Sequence, residues 1–256
     1  MKKLLILASL PLLAAATPAK PLKWERMFDG RTLAGWTPKI TGRAVGEDPL
    51  RTFVVKDGAI TVDYSHYKSF DGAFGHLFWK APLTAYRLRF DYRMTGPSMP
   101  GIERWQNRNS GLMLHAQAPA TMTRDQQFPV SLEFQLLDVP RPDREPSGNL
   151  CTPGTTVEID GKRPTSHCVT GTGSLVPLDQ WTHVEVEVTP DGRITHLLNG
   201  KPAISYRDAQ LDPNDKDAQP LIAAAGGTLA LRGGYVALQS EGQPTQFRNI
   251  EVMRLD

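Results

Sequence analysis

Tyr86-Arg87-Leu88-Arg89-Phe90-Asp91-Tyr92-Arg93 alternates apolar and polar side chains without a break. Successive side chains of an extended strand point to opposite faces, so Tyr86, Leu88, Phe90 and Tyr92 are expected to share a buried face, with Arg87, Arg89, Asp91 and Arg93 opposite. The same reading applies to two further runs. From Asn109 onward, Ser110, Leu112 and Leu114 point one way and Asn109, Gly111, Met113, His115 and Gln117 the other. In Val130 to Leu136, Val130, Leu132, Phe134 and Leu136 form the core set and Ser131, Glu133 and Gln135 face away. Taken together, the three strands are expected to present one face bearing arginine, asparagine, histidine, glutamine and glutamate. No long stretch carries apolar residues at helical spacing, so the chain reads as nearly all β.

Punctuation agrees with this. Asp57-Gly58, Asp71-Gly72, Asp191-Gly192 and Asn199-Gly200 are tight-turn dipeptides, and the last two bracket Arg193 to Leu198 as a short strand. Thr41 to Pro49, Thr95 to Trp105, Pro140 to Gly173 and Asp208 to Gly227 read as long surface loops. The 256 residues fit one large all-β domain, and their 40% hydrophobic and 22% charged composition excludes disorder and coiled coil.

Lys+Arg 29 against Asp+Glu 27 leaves a net charge of +2, and Lys2 and Lys3 alone account for the excess. A near-neutral chain without a basic run has no electrostatic footprint for nucleic acid or an anionic membrane. Met1-Lys2-Lys3, the apolar run Leu4 to Leu13 and Ala14-Ala15-Ala16 form the pattern of a cleavable export signal over residues 1–16, with a single domain over 20–256. No cysteine near the cleavage point could carry a lipid anchor. Export, most plausibly to a periplasm, makes a disulfide the natural state of Cys151 and Cys168, the only two cysteines. It would contribute about 3 kcal/mol in the chain-entropy picture. The rival, a metal held by Cys151, His167 and Cys168, lacks any close ligand pair such as C-x2-C.

A polar face can be ordinary solvated surface, and that suits His183, Glu185 and Glu187. It suits Asn109, His115, Glu133 and Gln135 less well, because these short or planar donors and acceptors are the inventory of a carbohydrate cleft. At these residues the chain resembles a known family, the 3-keto-disaccharide hydrolase domain. Met27-Phe28-Asp29-Gly30-Arg31-Thr32-Leu33-Ala34-Gly35-Trp36 resembles the family's opening motif. The likeness continues through Phe53 to Ile60, Gly75-His76-Leu77, Tyr86 to Arg93, Arg108-Asn109-Ser110-Gly111, Leu132 to Leu137 and Asn199-Gly200, and closes with Val236 to Gly242 and Phe247-Arg248-Asn249-Ile250. It implies a two-sheet antiparallel β-sandwich, a concanavalin-like jelly roll with long loops, whose concave sheet carries the ligand site. Asn149-Leu150-Cys151-Thr152-Pro153-Gly154-Thr155 and His167-Cys168 resemble a disulfide-containing subgroup, and His115 stands where many members carry arginine or a bulky residue.

The resemblance implies a glycoside substrate whose C3 hydroxyl a separate oxidoreductase has already made a ketone. A C3 ketone acidifies the C2 hydrogen, so a base can remove it and the C1 substituent can leave, with water adding back for net hydrolysis. Such a site needs a base near C2, a proton donor near the leaving oxygen and donors for the enolate. Glu133 is the expected general base or acid and His115 the second proton-transfer group. Arg93, Arg108, Asn109, Gln135, Trp105, Gln239 and Glu241 are the expected substrate contacts. The bland alternatives are an ion pair of Glu133 with Arg93 or Arg108, and a hydrogen bond of His115 to a neighbour. The same-strand neighbours of Glu133 on its face are Ser131 and Gln135 rather than a second glutamate, which disfavours ordinary two-carboxylate glycosidase chemistry and leaves Asp91 or Glu241 open as a partner carboxylate. No cofactor is assigned, and a divalent metal is left open because it would polarise a 3-keto-2-hydroxy pair. The rival from another class is a non-catalytic, lectin-like binding module, for which only Trp105 offers an aromatic platform beside the polar face.

Overall fold

The computed structural model describes residues 22–140 and 145–256; the expected signal, residues 1–16, lies outside the described residues. Two stacked sheets make up the fold. The nine-stranded sheet has the order β10 (Thr155–Glu158), β15 (Lys201–Leu211), β14 (Ile194–Leu198), β13 (Thr182–Val188), β6 (Tyr86–Met94), β17 (Thr245–Arg254), β4 (Ala59–Val62), β3 (Phe53–Lys56), with β1 (Glu25–Arg26) pairing β17. The eight-stranded sheet runs β11 (Cys168–Val169), β9 (Asn149–Cys151), β8 (Leu132–Val139), β7 (Asn109–Ala116), β16 (Tyr235–Ser240), β5 (Gly75–Trp79), β2 (Trp36–Ile40), with β12 (Val176–Pro177) pairing β8. All pairs are antiparallel except β12 with β8. Among the described residues, the only α-helix is α1 (Gln219–Ala224). The chain is therefore the expected jelly-roll sandwich.

Strand parity builds the core. Leu88, Phe90 and Tyr92 from β6, Val184 and Val186 from β13 and Phe247 from β17 pack on Leu112, Leu114, Leu132, Phe134, Leu150 and Leu238 of the facing sheet. Asp57 and Gly58, at φ 49° and 74°, and Asn199 and Gly200, at 50° and 75°, make the expected mirror-image hairpin turns. Two readings change. Residues 140–173, expected to be loop, contain β9, β10 and β11, and Asp208 lies within β15 rather than starting a loop. The segments are too short or too exposed to alternate visibly.

The larger correction concerns β6. It pairs with β13 and β17, with Glu185 opposite Arg89 and His183 opposite Asp91. Its polar side is thus the outer face of the nine-stranded sheet, the same ordinary surface expected for His183 and Glu185, and does not join the polar residues of β7 and β8. There Arg87 pairs with Glu185, Arg89 with Glu251 and Asp91 with His183.

Candidate functional site

Register places outer-face side chains of the eight-stranded sheet in two files. One crosses Asn149, Gln135, Gly111, Gln239, His76 and Lys39; the other crosses Cys151, Glu133, Met113, Ala237, Phe78 and Thr37. The step from Gly111 to Gln239 lies one residue beyond the Leu112–Leu238 pair. The segment after β7 folds over the β16–β5–β2 half of this face. Met122 packs on Phe78, Met113 and Ala237, and Phe128 on Phe74, 4.7 Å between ring centroids. Arg124 O accepts from the Gly42 N–H and from Lys39 Nζ, both at 2.9 Å, and Gln117 Oε1 accepts from Gln126 Nε2 and the Val130 N–H.

Over the β8–β9 half a cavity of about 930 Å³ remains. Glu133, Gln135, Asn109 and Asn149 are among its lining residues, with Phe128 and Trp105 on one side and the Cys151–Cys168 disulfide, His167 and Asp215 on another. Trp105 is 49% exposed and stacks on Phe74 at 6.2 Å and 11°. The disulfide joins residues directly opposite each other on β9 and β11.

Glu133 is a buried carboxyl of the cavity lining. It is only 5% exposed, and burial pushes its carboxyl up to about 8. Gly111 makes room for it: a Cβ there would stand 2.6 Å from Glu133 Oε1 and 2.9 Å from its Cγ. Two residues along the same strand face, about 7 Å away, Gln135 Oε1 accepts from Asn149 Nδ2 at 3.2 Å, which leaves Gln135 Nε2 as a donor. Asn149 Oδ1 in turn accepts from the Gly171 N–H at 3.0 Å. Asn109 Nδ2 donates to Trp105 O at 3.4 Å, and its Oδ1, buried beside the cavity, has no protein partner. The cavity therefore holds a titratable carboxyl, an amide donor and an amide acceptor.

The structure brings together Glu133, Gln135, Asn109, Trp105, Glu241, Cys151 and Cys168 as lining residues. Four other expected site residues stand elsewhere. Arg93 lies on the opposite sheet, where it donates to Gln246 Oε1 at 2.7 Å and covers Trp181 at 4.7 Å. Arg108 does not line the cavity; its charge acts on Asp138, whose Oδ1 accepts from Tyr92 Oη at 3.1 Å inside the sandwich. His115 is turned inward by a bulge: Leu114 and His115 oppose Val236 alone, His115 takes φ 48°, and the ring lies edge-on 6.5 Å from Tyr86. Burial pushes its imidazole down to about 4. Gln239 keeps the expected face but is fully buried beyond Gly111 and does not line the cavity.

Sequence reasoning missed Lys39 and His76, which extend the Gln239 file, and considered His167, the imidazole that does line the cavity, only as a metal ligand. Lys39 and His76 share parity with Gln239, but their strands are short and nothing local shows that they pair. Among the described residues, no group of three histidine, cysteine, aspartate or glutamate side chains is arranged to hold a metal ion.

Residues 23–253 match the family of the 3-keto-alpha-glucoside-1,2-lyase-like domain, and the chain belongs to it. No curated protein sequence matches the chain. Among solved structures, it is similar to a candidate glycosyl hydrolase from Parabacteroides distasonis ATCC 8503, with 17% identity over 91% of this chain and 94% of that one and a TM-score of 0.53. It is also similar to a Bacillus subtilis protein with a galectin-like fold, with 10% identity, 87% and 90% covered and a TM-score of 0.52. The alginate lyase AlyC3 gives 14% identity, 86% and 90% covered and a TM-score of 0.52. At these identities the likeness is one of fold.

Proposed function

We propose that the chain is an exported enzyme that cleaves glycosides carrying a ketone at C3, with Glu133 as the group that moves the C2 proton. The observation that supports this best is the Glu133 carboxyl, buried at the floor of a polar cavity and poised near pH 8, where a carboxylate is a far stronger base than in water. Its carboxylate takes the C2 proton, and the C2–H electron pair becomes the C1=C2 bond. The C1–O bond breaks with its pair on the leaving oxygen, which takes the proton that Glu133 has gained, so that the base is regenerated. Addition of water across C1=C2 completes net hydrolysis. Gln135 Nε2 supplies a donor for enolate oxygen, Asn109 Oδ1 an acceptor for a sugar hydroxyl, and His167 replaces His115 as the imidazole beside the leaving group.

The substrate must come from a sugar 3-oxidoreductase acting first. The disulfide suits an oxidising compartment, and among the described residues no helix is long and apolar enough to cross a membrane. Trp105 at the mouth favours one other reading, a glycan-binding module without catalysis. The test is aglycone release from a 3-keto-glucoside and from its unoxidised parent, with and without EDTA, by the wild type and Glu133→Gln. Release from the keto sugar alone, lost in the variant, is expected, with kcat/KM rising toward a plateau above about pH 8. Binding of both sugars with release from neither supports the binding module instead.

A further inference from the structure

Lys39, His76 and Gln239 stand behind Glu133. Lys39 is directly opposite His76, His76 is directly opposite Gln239, and Gln239 neighbours Gly111, over which the Glu133 carboxyl lies. All three side chains are sealed, at 2%, 0% and 0% exposure. Both ring nitrogens of His76 and both amide atoms of Gln239 are without a hydrogen-bond partner. Buried polar groups are almost always paired, so two such side chains next to each other call for a use.

Their chemistry allows one direction of linkage. Lys39 Nζ donates to Ile40 O at 3.1 Å and to Arg124 O at 2.9 Å, which leaves one of its three protons. His76 is neutral, because burial and then the Lys39 charge push it down to about 3, so it offers one acceptor and one donor nitrogen. Lys39 can fill the acceptor and the His76 N–H can fill Gln239 Oε1, which would leave the Gln239 Nε2 protons unused. Met113 and Gly111 on β7 are uncharged and the disulfide at Cys151 does not titrate. Among the described cavity residues, Asp125, Glu145, Asp215, Asp217 and Glu241 outnumber Lys216 and His167.

We propose that Lys39, His76 and Gln239 form a file of donors that closes onto Glu133 across Gly111, by side-chain rotation or a bridging water, and stabilises its carboxylate. Gln239 and His76 are positioning residues that act through Glu133. The proposal rests on Glu133 as the proton-transfer group, but the file itself is tested without turnover.

The experiment is an infrared pH titration of the Glu133 carboxyl in the wild type, Gln239→Met, His76→Leu and His76→Gln, with Glu133→Gln identifying the band. A donor to a charged group is worth about one to two pH units. Gln239→Met and His76→Leu are each expected to raise the Glu133 midpoint by that amount and to move the acidic limb of kcat/KM with it. His76→Gln, which keeps a donor and an acceptor, is expected to leave both near wild type. An unmoved midpoint in either folded Gln239→Met or folded His76→Leu overturns the file. A moved midpoint in a protein that turns over no 3-keto-glycoside keeps the file and refutes the reaction; turnover with an unmoved midpoint does the reverse.

Discussion

Gly111→Ala tests the site with one methyl group. Gly111 sits mid-strand in β7 without a left-handed backbone, so alanine meets no conformational penalty there. Its Cβ would stand 2.6 Å from Glu133 Oε1, 2.9 Å from Cγ and 3.1 Å from Cδ, whereas ordinary contact begins at 3.4 Å. The neighbour that must give is the flexible end of Glu133, so the carboxyl is expected to move by about 0.8 Å, the difference between the two limits for Oε1. A displacement near 1 Å at a reacting group costs about 10²-fold in rate. Destabilisation should stay within ~1–2 kcal/mol, because a side-chain tip rather than backbone yields. The assay is kcat/KM on a 3-keto-glucoside beside a thermal melt, with Glu133→Gln for reference. A folded Gly111→Ala protein within about threefold of wild type, under ~0.7 kcal/mol, would refute the assignment of Glu133.

The pH dependence of stability follows from five buried groups. His76, His115 and His196 titrate folded at about 3, 4 and 3 against an ordinary 6.5, so each contributes stability present above pH 6.5 and lost as pH falls toward those values. Glu133 and Asp138 are raised to about 8 and 7 from 4.5 and 3.8, so the stability they contribute is lost as pH rises through that span. Three histidines outnumber two carboxyls below pH 6.5 and only Glu133 remains above 7, so melting temperature should peak near pH 6.5. Glu133→Gln should flatten the decline toward pH 8; a wild-type peak below about pH 5 counts against this scheme. Reducing the Cys151–Cys168 bond should cost about 3 kcal/mol in a denaturant titration and raise KM, since β11 carries the cavity rim. An unchanged KM after full reduction would show that the rim holds without it. Trp105→Ala should raise KM about tenfold with kcat nearly unchanged, because the ring stands at the mouth and away from Glu133's floor position; a fall in kcat alone would contradict that placement.

Strand parity was legible wherever a run is long and half buried. Leu132 to Leu136 shows Glu133 and Gln135 on one side, and the structure keeps them there. Parity carries no record of which sheet a strand joins. Arg93 was grouped with Glu133 because both face away from a core, yet β6 pairs with β13 and its outward face is the far side of the molecule. His115 shows the second blind spot: one extra residue in β7 reverses every face beyond it, and only a positive φ, invisible in sequence, marks the bulge. Arg108 belongs to the Arg108-Asn109-Ser110-Gly111 motif, but it stands just before β7 with φ 55°, so strand parity does not carry it onto the face of Asn109. His76 and Lys39 became candidates only when pairing set them beside Gln239.

A candidate glycosyl hydrolase and a protein with a galectin-like fold share this sandwich, so the scaffold does not separate catalysis from binding. What separates them is where the polar groups sit relative to water. A glycan-binding face works with wet, exposed amides and rings that exchange water for hydroxyls, and Trp105, with the partly exposed Gln135, meets that description at one end of the cavity. Glu133 does not. Burying a carboxyl raises its pKa by disfavouring its charged form, a cost that gives a neutral sugar no added affinity. The same cost becomes useful when the group must take up a proton, because the destabilised carboxylate is then the stronger base. The elements that maintain the burial have the same logic: Gly111 yields space for the carboxyl, and the segment bearing Met122 and Phe128 seals the file behind it. A binding module has no need for either, and their coincidence around one side chain favours an enzyme.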